Sequence, residues 1–183
     1  KIIDNQNQPI NVIATMNAGY VPKDHWVHDL DIGGGRIIGE ACHYIDLISF
    51  IVGSEVVSVV MNAKGTAPQI DTDNASILLK YKNGSQGVIN YFSNGNNRYA
   101  KERIEIYAQN KNIIIDNFRK IEFYGFNAKN QKTSQDKGHF EQFKKWNQMI
   151  VNGSDSIIPF ESIESVTKNT KFSFVLVVIF SIF

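Results

Sequence analysis

The chain has 183 residues, which is the usual size of one domain and short for two. Hydrophobic residues make up 43% of it and charged residues 20%, a composition that excludes disordered, collagen-like and coiled-coil proteins. Its 19 basic and 18 acidic residues leave a net charge of +1, so no excess charge points to a nucleic-acid partner.

The cysteine count and the first residues both bear on the cellular compartment. The single cysteine, Cys42, cannot form an intrachain disulfide, which is typical of a reducing compartment. The first residues, KIIDNQNQ, lack the apolar core of a secretory signal peptide. We therefore predict a cytoplasmic protein. The chain begins with Lys1 and not with Met, which indicates a piece of a longer protein.

One strand and one long helix are predicted in the first third of the chain. A short apolar run over 10–17 predicts the strand, and a polar and aromatic loop follows over 18–33. The segment GGGRIIGEACHYIDLISFIVG then has helical period, and Gly53 is placed to end the helix. The apolar residues at steps of three and four are Ile37, Ala41, Ile45, Ile48 and Val52.

Six further segments have the composition and alternation of strands. They are VVSVVMNA, NASILLKY, QGVINYFS, RIEIYA, NIIID and KIEFYG. Short connections with turn signals predict hairpins, and hence a largely antiparallel sheet with one packed face. Helical period returns over HFEQFKKWNQMIVNG, and a last helix is predicted to begin near Phe160. This order of elements predicts a single α+β domain over residues 1–183.

The end of the chain, FSFVLVVIFSIF over 172–183, is almost wholly apolar. A helix that spans a bilayer needs about 20 such residues, so we predict no membrane span. The segment is a buried strand or helix end, a surface that docks onto another part of the protein, or a sequence artefact.

Four polar residues of the predicted helix are candidates for chemistry. Arg36, Glu40, His43 and Asp46 recur at i, i+4, i+7 and i+10, which places them along one stripe. A histidine with carboxylates one turn away is the usual construction of a general base, because the carboxylate orients the imidazole and stabilises its protonated form. The pattern alone favours the alternative, a structural polar network beneath the sheet.

The glycines before this helix do not form a dinucleotide-binding loop. Ile38 stands where the G-x-G-x-x-G motif needs its third glycine, so we predict no cofactor site in the chain. Gly33, Gly34 and Gly35 are expected to enter the helix tightly and to leave N–H groups free for an anion.

The sequence carries only weak evidence for a metal site or for a catalytic nucleophile. His25, His28, Cys42 and His43 are ligand types, but no second pair with zinc-ligand spacing accompanies them, so we predict no metal site. No motif of a catalytic nucleophile is present.

Two loops carry polar and aromatic side chains. Tyr20 and Trp26 in the first loop either stack on a sugar ring or fill the core. The basic loop 94–103 is either solvated or contacts a phosphate or a carboxylate.

The segment NAGYVPKDHWVHDLDIGGGRIIGEACHYIDL resembles the start of the C-terminal domain in the glucose–fructose oxidoreductase/inositol dehydrogenase (Gfo/Idh/MocA) family. The segments NYFSNGNNRYAKERIEIYA, DNFRK, QDKGH and IPFESIESVT resemble the same domain in one subgroup. The resemblance covers Asn11 to about Lys171. It implies an open, mostly antiparallel sheet with helices packed on one face, and dimer contacts through the other face. It also implies that a Rossmann domain, absent here, precedes this domain in the intact protein.

The resemblance assigns roles to residues of the helix. His43 matches the histidine that exchanges a proton with the sugar hydroxyl, and Asp46 matches a second acid that orients it. Gly39 replaces an aspartate of the family, and Glu40 beside it is the candidate to compensate. Asn17 matches a substrate contact, and His25, Trp26 and Arg36 become candidates to line a sugar or sugar-nucleotide pocket.

The sequence therefore predicts the substrate-binding and oligomerisation domain of an NAD(P)-dependent oxidoreductase that acts on a sugar or sugar derivative. NAD or NADP would be held mainly by the missing domain, and this piece alone would be inactive. A homo-oligomer through the open sheet face is expected, with neither a nucleic acid nor a membrane as partner. The alternatives are a non-enzymatic module that dimerises or binds carbohydrate on the same fold, favoured by Gly39, and a zinc hydrolase.

Overall fold

The computed structural model describes residues 8–65, 72–154, 156 and 158–180, with 172–180 described as helix backbone only. Within them the strands are β1 (Asn11–Asn17), β2 (Val56–Ala63), β3 (Asn74–Tyr81), β4 (Gln86–Phe92), β5 (Glu102–Ala108), β6 (Lys111–Asp116), β7 (Lys120–Tyr124) and β8 (Gln131–Lys132). The helices are α1 (Cys42–Val52), α2 (His139–Asn152) and α3 (Phe160–Phe180), and the helical turns are a 3-10 turn (Trp26–His28) and a π turn (Ile37–Ala41).

The strands form one open sheet in the order β2-β3-β4-β1-β5-β6-β7-β8. All neighbouring pairs are antiparallel except β1 and β4, which are parallel. The predicted α+β class with an open, mostly antiparallel sheet is confirmed. The expected hairpin between β4 and β5 is wrong, because β1 lies between these two strands and the loop 93–101 passes the end of β1.

The core lies between the sheet and α1. Alternate residues of β1, Val12, Ala14 and Met16, are buried against the helix side. The five apolar residues that predicted the first helix are fully buried: Ile37, Ala41, Ile45, Ile48 and Val52. The predicted periodicity is therefore confirmed, and the αL conformation of Gly53, with φ 66°, ends the helix as expected.

The other two helices differ in their packing. Helix α3 packs on β2 and α1, and Thr170 is buried in this contact. The side chains of α2 are exposed apart from a half-buried Met149, and several of them are large and apolar. No helix among the described residues is long and apolar enough to cross a membrane. The side chains of the apolar segment 172–180, and residues 181–183 altogether, lie outside the described part of the chain.

The opposite surface of the sheet, here called the open face, carries ordered rows of side chains. Leu78, Val88 and Ile13 are adjacent across β3, β4 and β1. The neighbouring row on the same strands is polar and hydrogen-bonded to itself. In this row Ser76 Oγ donates to Asn90 Oδ1 at 2.9 Å, and Asn90 Nδ2 donates to Thr15 Oγ1 at 3.4 Å.

Candidate active site

A cavity of about 710 Å³ lies beside the first turns of α1 and is here called the His43 cavity. Its helix wall carries Glu40, His43, Tyr44 and Asp46. Its opposite wall comes from distant segments and carries Lys101, Glu102, Lys137 and His139, with Met16 of β1 also lining it. The fold thus brings two lysines, two histidines and three carboxylates to one cavity.

The three predicted catalytic residues share the helix wall. The side chains of His43 and Asp46 are exposed and that of Glu40 is half-buried. Within the described residues the imidazole of His43 makes no hydrogen bond or ion pair, so both ring nitrogens are available to a ligand. The expected orientation of the imidazole by Glu40 or Asp46 is therefore not present in this structure.

Arg36 occupies the centre of a buried network instead of lining the cavity. The side chain is 2% exposed, and its Nε and Nη2 donate to Glu40 Oε1, both at 3.2 Å. Nη1 donates to the carbonyl of Gly19 at 2.7 Å and Nη2 to that of Ala18 at 3.2 Å. The predicted stripe is thus divided: Arg36 holds the loop after β1 to the π turn, while His43 and Asp46 face the cavity.

This network sets the environment of Tyr91, whose ring lies 5.5 Å beneath the Arg36 guanidinium. Burial raises the pKa of the Tyr91 phenol, and the charge of Glu40 raises it further. Burial likewise raises the pKa of Tyr44, and the charges of Glu102 and Glu40 add to the effect. A phenol is protonated at neutral pH even at its ordinary pKa, and these two phenols hold their protons more firmly still.

Asn17 ends β1 and faces the loop between β4 and β5. Its Nδ2 donates to the carbonyl of Asn96 at 2.8 Å, and its buried Oδ1 has no hydrogen-bond partner among the described residues. A Cβ on Gly95 would lie 2.1 Å from that Oδ1, so a side chain at this position would displace the Asn17 amide. Asn17 therefore positions the loop 93–101, and its contact with substrate remains a prediction.

His25 and Trp26 lie together at the 3-10 turn, away from the His43 cavity. Their ring centroids are 5.6 Å apart, and Trp26 is 59% exposed. His25 Nδ1 accepts a hydrogen bond from the backbone of Val27 at 3.3 Å and so caps the turn. As contacts for a sugar, both residues stay predictions.

The three glycines do not present the anion site that the sequence suggests. The amides of Gly33 and Gly34 donate to the carbonyl of Asp29 at 2.7 and 3.0 Å, so the expected free N–H groups are wrong at these two positions. A Cβ on Gly33 would meet the backbone of Trp26 at 2.6 Å, which shows that close packing requires this glycine. The turn accordingly does not fit the phosphates of a dinucleotide.

A second pocket, of about 270 Å³, lies between α1 and α3 on the other side of His43. Ile38, Cys42 and Val166 contribute to its lining. Burial raises the pKa of the Cys42 thiol, so the thiol is protonated and a weak nucleophile at neutral pH. Among the described residues, no group of three or more His, Cys, Asp or Glu is arranged to hold a metal ion.

Sequence reasoning missed Glu102 and Lys137 of the opposite wall. Lys137 Nζ donates to Glu102 Oε1 at 2.5 Å, although the two residues are 35 positions apart. The one available signal was the glutamate at the start of a strand that otherwise alternates apolar and polar residues. Only the pairing of β5 with β1 shows that Glu102 takes a core-facing position.

Comparison with known proteins settles the family. A sequence profile described as the GFO/IDH/MocA C-terminal domain matches residues 8–114. The chain belongs to this family. A comparison with curated protein sequences returned no match.

Solved structures with the same fold are distant in sequence. UDP-N-acetylglucosamine 3-dehydrogenase from Acidithiobacillus ferrooxidans is 18% identical with a TM-score of 0.73, over 94% of this Gfo/Idh/MocA chain and 55% of that one. Aldose–aldose oxidoreductase from Caulobacter crescentus is 14% identical with a TM-score of 0.74, over 93% and 54%. An NAD-binding oxidoreductase from Klebsiella pneumoniae is 16% identical with a TM-score of 0.71, over 93% and 57%. The chain thus spans about half the length of the solved structures it matches.

Proposed function

We propose that this Gfo/Idh/MocA domain is the substrate-side half of a two-domain oxidoreductase that acts on a sugar or sugar derivative. The observation that carries the proposal is the His43 cavity. In it an imidazole without a partner in the described part of the chain lies between Glu40 and Asp46 on one helix wall. The similarity to two solved sugar oxidoreductases over about half of their length supports it.

NAD or NADP is proposed as the cofactor of the intact protein. The similarity to an NAD-binding oxidoreductase supports it, and the occupied amides of Gly33 and Gly34 argue that the dinucleotide is held outside this chain. When bound, the nicotinamide would take the hydride from the carbon that is oxidised.

The role proposed for His43 is to accept the proton of the sugar hydroxyl at a ring nitrogen. Asp46 lies one turn further along α1, where its negative charge stabilises the imidazolium that forms. The opposite wall, with Lys101 and Lys137, supplies donors for the remaining hydroxyl oxygens and excludes water from that side.

The test is the oxidation of UDP-N-acetylglucosamine and D-glucose with NAD or NADP by the full-length protein. Replacement of His43 by Asn should lower kcat about 100- to 10,000-fold, because a positioned acid–base group contributes a factor of that size. KM should change far less, since the imidazole is one of many polar groups in the cavity.

The matched control is His28→Asn, because His28 lies outside the cavity and its Nε2 is 3.4 Å from the carbonyl of Val21. The control should retain the turnover of the unmodified protein. Unchanged kcat in the His43 variant would remove this residue from the mechanism.

A specific observation favours a second function, a carbohydrate-binding module without catalysis. Gly39 occupies the place of the family's aspartate, and Glu40, the residue beside it, is held by Arg36. This alternative predicts that the full-length protein binds one of the two sugars, while no reduction of either nicotinamide cofactor accompanies binding.

We also propose that the protein forms a homo-oligomer through the open face and that it acts in the cytoplasm. The polar row whose side chains hydrogen-bond to one another, beside an apolar row, supports the first proposal. When such a surface is covered, few of its polar groups are left without a hydrogen-bond partner. The single cysteine supports the second.

A further inference from the structure

Glu102 is a carboxylate whose surroundings in the described chain leave it incompletely satisfied. The residue is 3% exposed, and Oε1 accepts from Lys137. The second oxygen, Oε2, is buried and has no hydrogen-bond partner among the described residues. Buried polar atoms are almost always paired, so an atom of this kind indicates a ligand or a water molecule that completes the site.

The position of Glu102 favours a ligand over a water molecule as the partner of Oε2. The residue pairs with Met16 at the end of β1, and both side chains line the His43 cavity. Glu102 therefore lies in the wall that faces the proposed acid–base residue. A cavity of about 710 Å³ is within the roughly 300–1,000 Å³ that small-molecule sites occupy.

Lys137 is fixed at this wall by two contacts. Its Nζ donates to Glu102 and lies 5.7 Å from the centre of the Phe118 ring. The side chain is still 33% exposed, and an ammonium group has three donors, so donors remain for a second partner.

A carboxylate beside an ammonium group fits two adjacent hydroxyl groups. One hydroxyl donates its hydrogen to Glu102, and the oxygen of the next accepts from Lys137. An anionic group in the same place would be repelled by Glu102. The pair thus matches the uncharged ring hydroxyls of a sugar and disfavours a phosphate or a carboxylate.

We propose that Glu102 and Lys137 bind two neighbouring hydroxyl groups of the substrate, on the wall opposite His43. This inference rests on the proposed function and specifies which part of a sugar the cavity recognises: a free pair of adjacent hydroxyls.

The experiment compares steady-state kinetics of the full-length protein and its Glu102→Gln and Lys137→Gln variants on UDP-N-acetylglucosamine and D-glucose. KM should rise about 10- to 100-fold in each variant, because a hydrogen bond to a charged group contributes a factor of that size. The kcat should stay within about threefold, because neither residue exchanges the proton.

Glu105→Gln is the matched control. Glu105 lies on the same strand but on the open face, where it accepts from Arg103 at 2.7 Å and from Tyr107 at 2.5 Å. The control should leave KM unchanged. If Glu102→Gln and Glu105→Gln have the same KM, or if kcat falls without a change in KM, the assignment is overturned.

A second variant and a binding measurement cover the cases in which the kinetics give no answer. If Glu102→Gln does not fold, the more exposed Lys137→Gln carries the same expectation. If the unmodified protein oxidises neither sugar, the proposed function fails, and binding of the same two sugars is measured by saturation-transfer NMR. Binding that is lost in the variants then supports the Glu102 site, and no binding by the unmodified protein overturns it.

Discussion

Arg36 shows how a single residue can hold a site in place from outside it. Its guanidinium joins the first turn of the helical segment to the carbonyls of Ala18 and Gly19, directly after the central strand. The same side chain keeps Glu40 in the cavity wall. The position of the helix wall relative to β1 therefore depends on this contact.

Replacement of Arg36 by Met should destabilise the domain by about 3–5 kcal/mol, because Glu40 and two carbonyls then remain without their cation. Urea unfolding followed by circular dichroism measures the change. Lys168→Met is the control, since its ion pair with Glu164 on α3 is exposed and contributes about 0–1 kcal/mol. Equal losses in the two variants would show that the Arg36 network adds nothing beyond a surface pair.

At the scale of single residues, the sequence predicts which side chains share an element better than it predicts which partners they bind. The spacing of Arg36, Glu40, His43 and Asp46 placed all four on one helical segment. It did not show that Arg36 turns toward the loop after β1, because its partners there are two backbone carbonyls, which carry no sequence signal. Glu102 and Lys137 were missed for a related reason, as their pairing depends on where two distant segments meet.

Between elements, β4 approaches α1 closely. A Cβ on Gly87 would lie 2.8 Å from Cγ2 of Ile48, so the absence of a side chain lets the helix lie directly on the sheet. The depth of α1 on the sheet also sets the depth of the His43 cavity, since His43 belongs to the same helix.

Gly87→Ala should therefore destabilise the protein by about 1–3 kcal/mol, the usual effect of an extra methyl group in a packed core. Gly39→Ala is the control, because a Cβ there meets nothing closer than the carbonyl of Gly33 at 3.8 Å. The control should be neutral or slightly stabilising, since Ala favours helix over Gly. Thermal unfolding of both variants is the measurement, and a stable Gly87→Ala protein would contradict the close approach.

The elements themselves were largely predictable. Alternation located β2 and β3 with the bounds that the structure gives, and helical periodicity located the buried face of α1. The π turn at Ile37–Ala41 and the parallel pairing of β1 with β4 were not predicted. Both depend on tertiary contacts, whereas periodicity reports only which side of an element is buried.

At the scale of the whole molecule, the described part of the chain gives the sheet two unlike surfaces, one covered by α1 and α3 and one open. On the open face Leu78 is 50% exposed and Phe92 is 38% exposed, beside polar groups that already satisfy one another. Such a surface is suited to association with a second copy, because the polar groups need no new partners when water is removed.

Sedimentation velocity of the full-length protein should accordingly show an oligomer, and Leu78→Asp should convert it to the monomer. The new carboxylate would be buried without a partner, which strongly disfavours the interface. Phe50→Asp is the control, since Phe50 is 83% exposed on α1 and lies on the helix side of the sheet. A monomeric unmodified protein, or dissociation by both variants alike, would refute the open face as the interface.

The central place of β1 also has a consequence for synthesis on the ribosome. Its residue Asn11 pairs with Gln86 on one side and with Tyr107 on the other, 75 and 96 positions later in the chain. At roughly 5–20 residues per second, the strand waits about 5–20 s before both neighbours have been translated. During that interval its apolar residues are without their native cover. Nascent chains of this domain should therefore depend on chaperones until β5 has emerged.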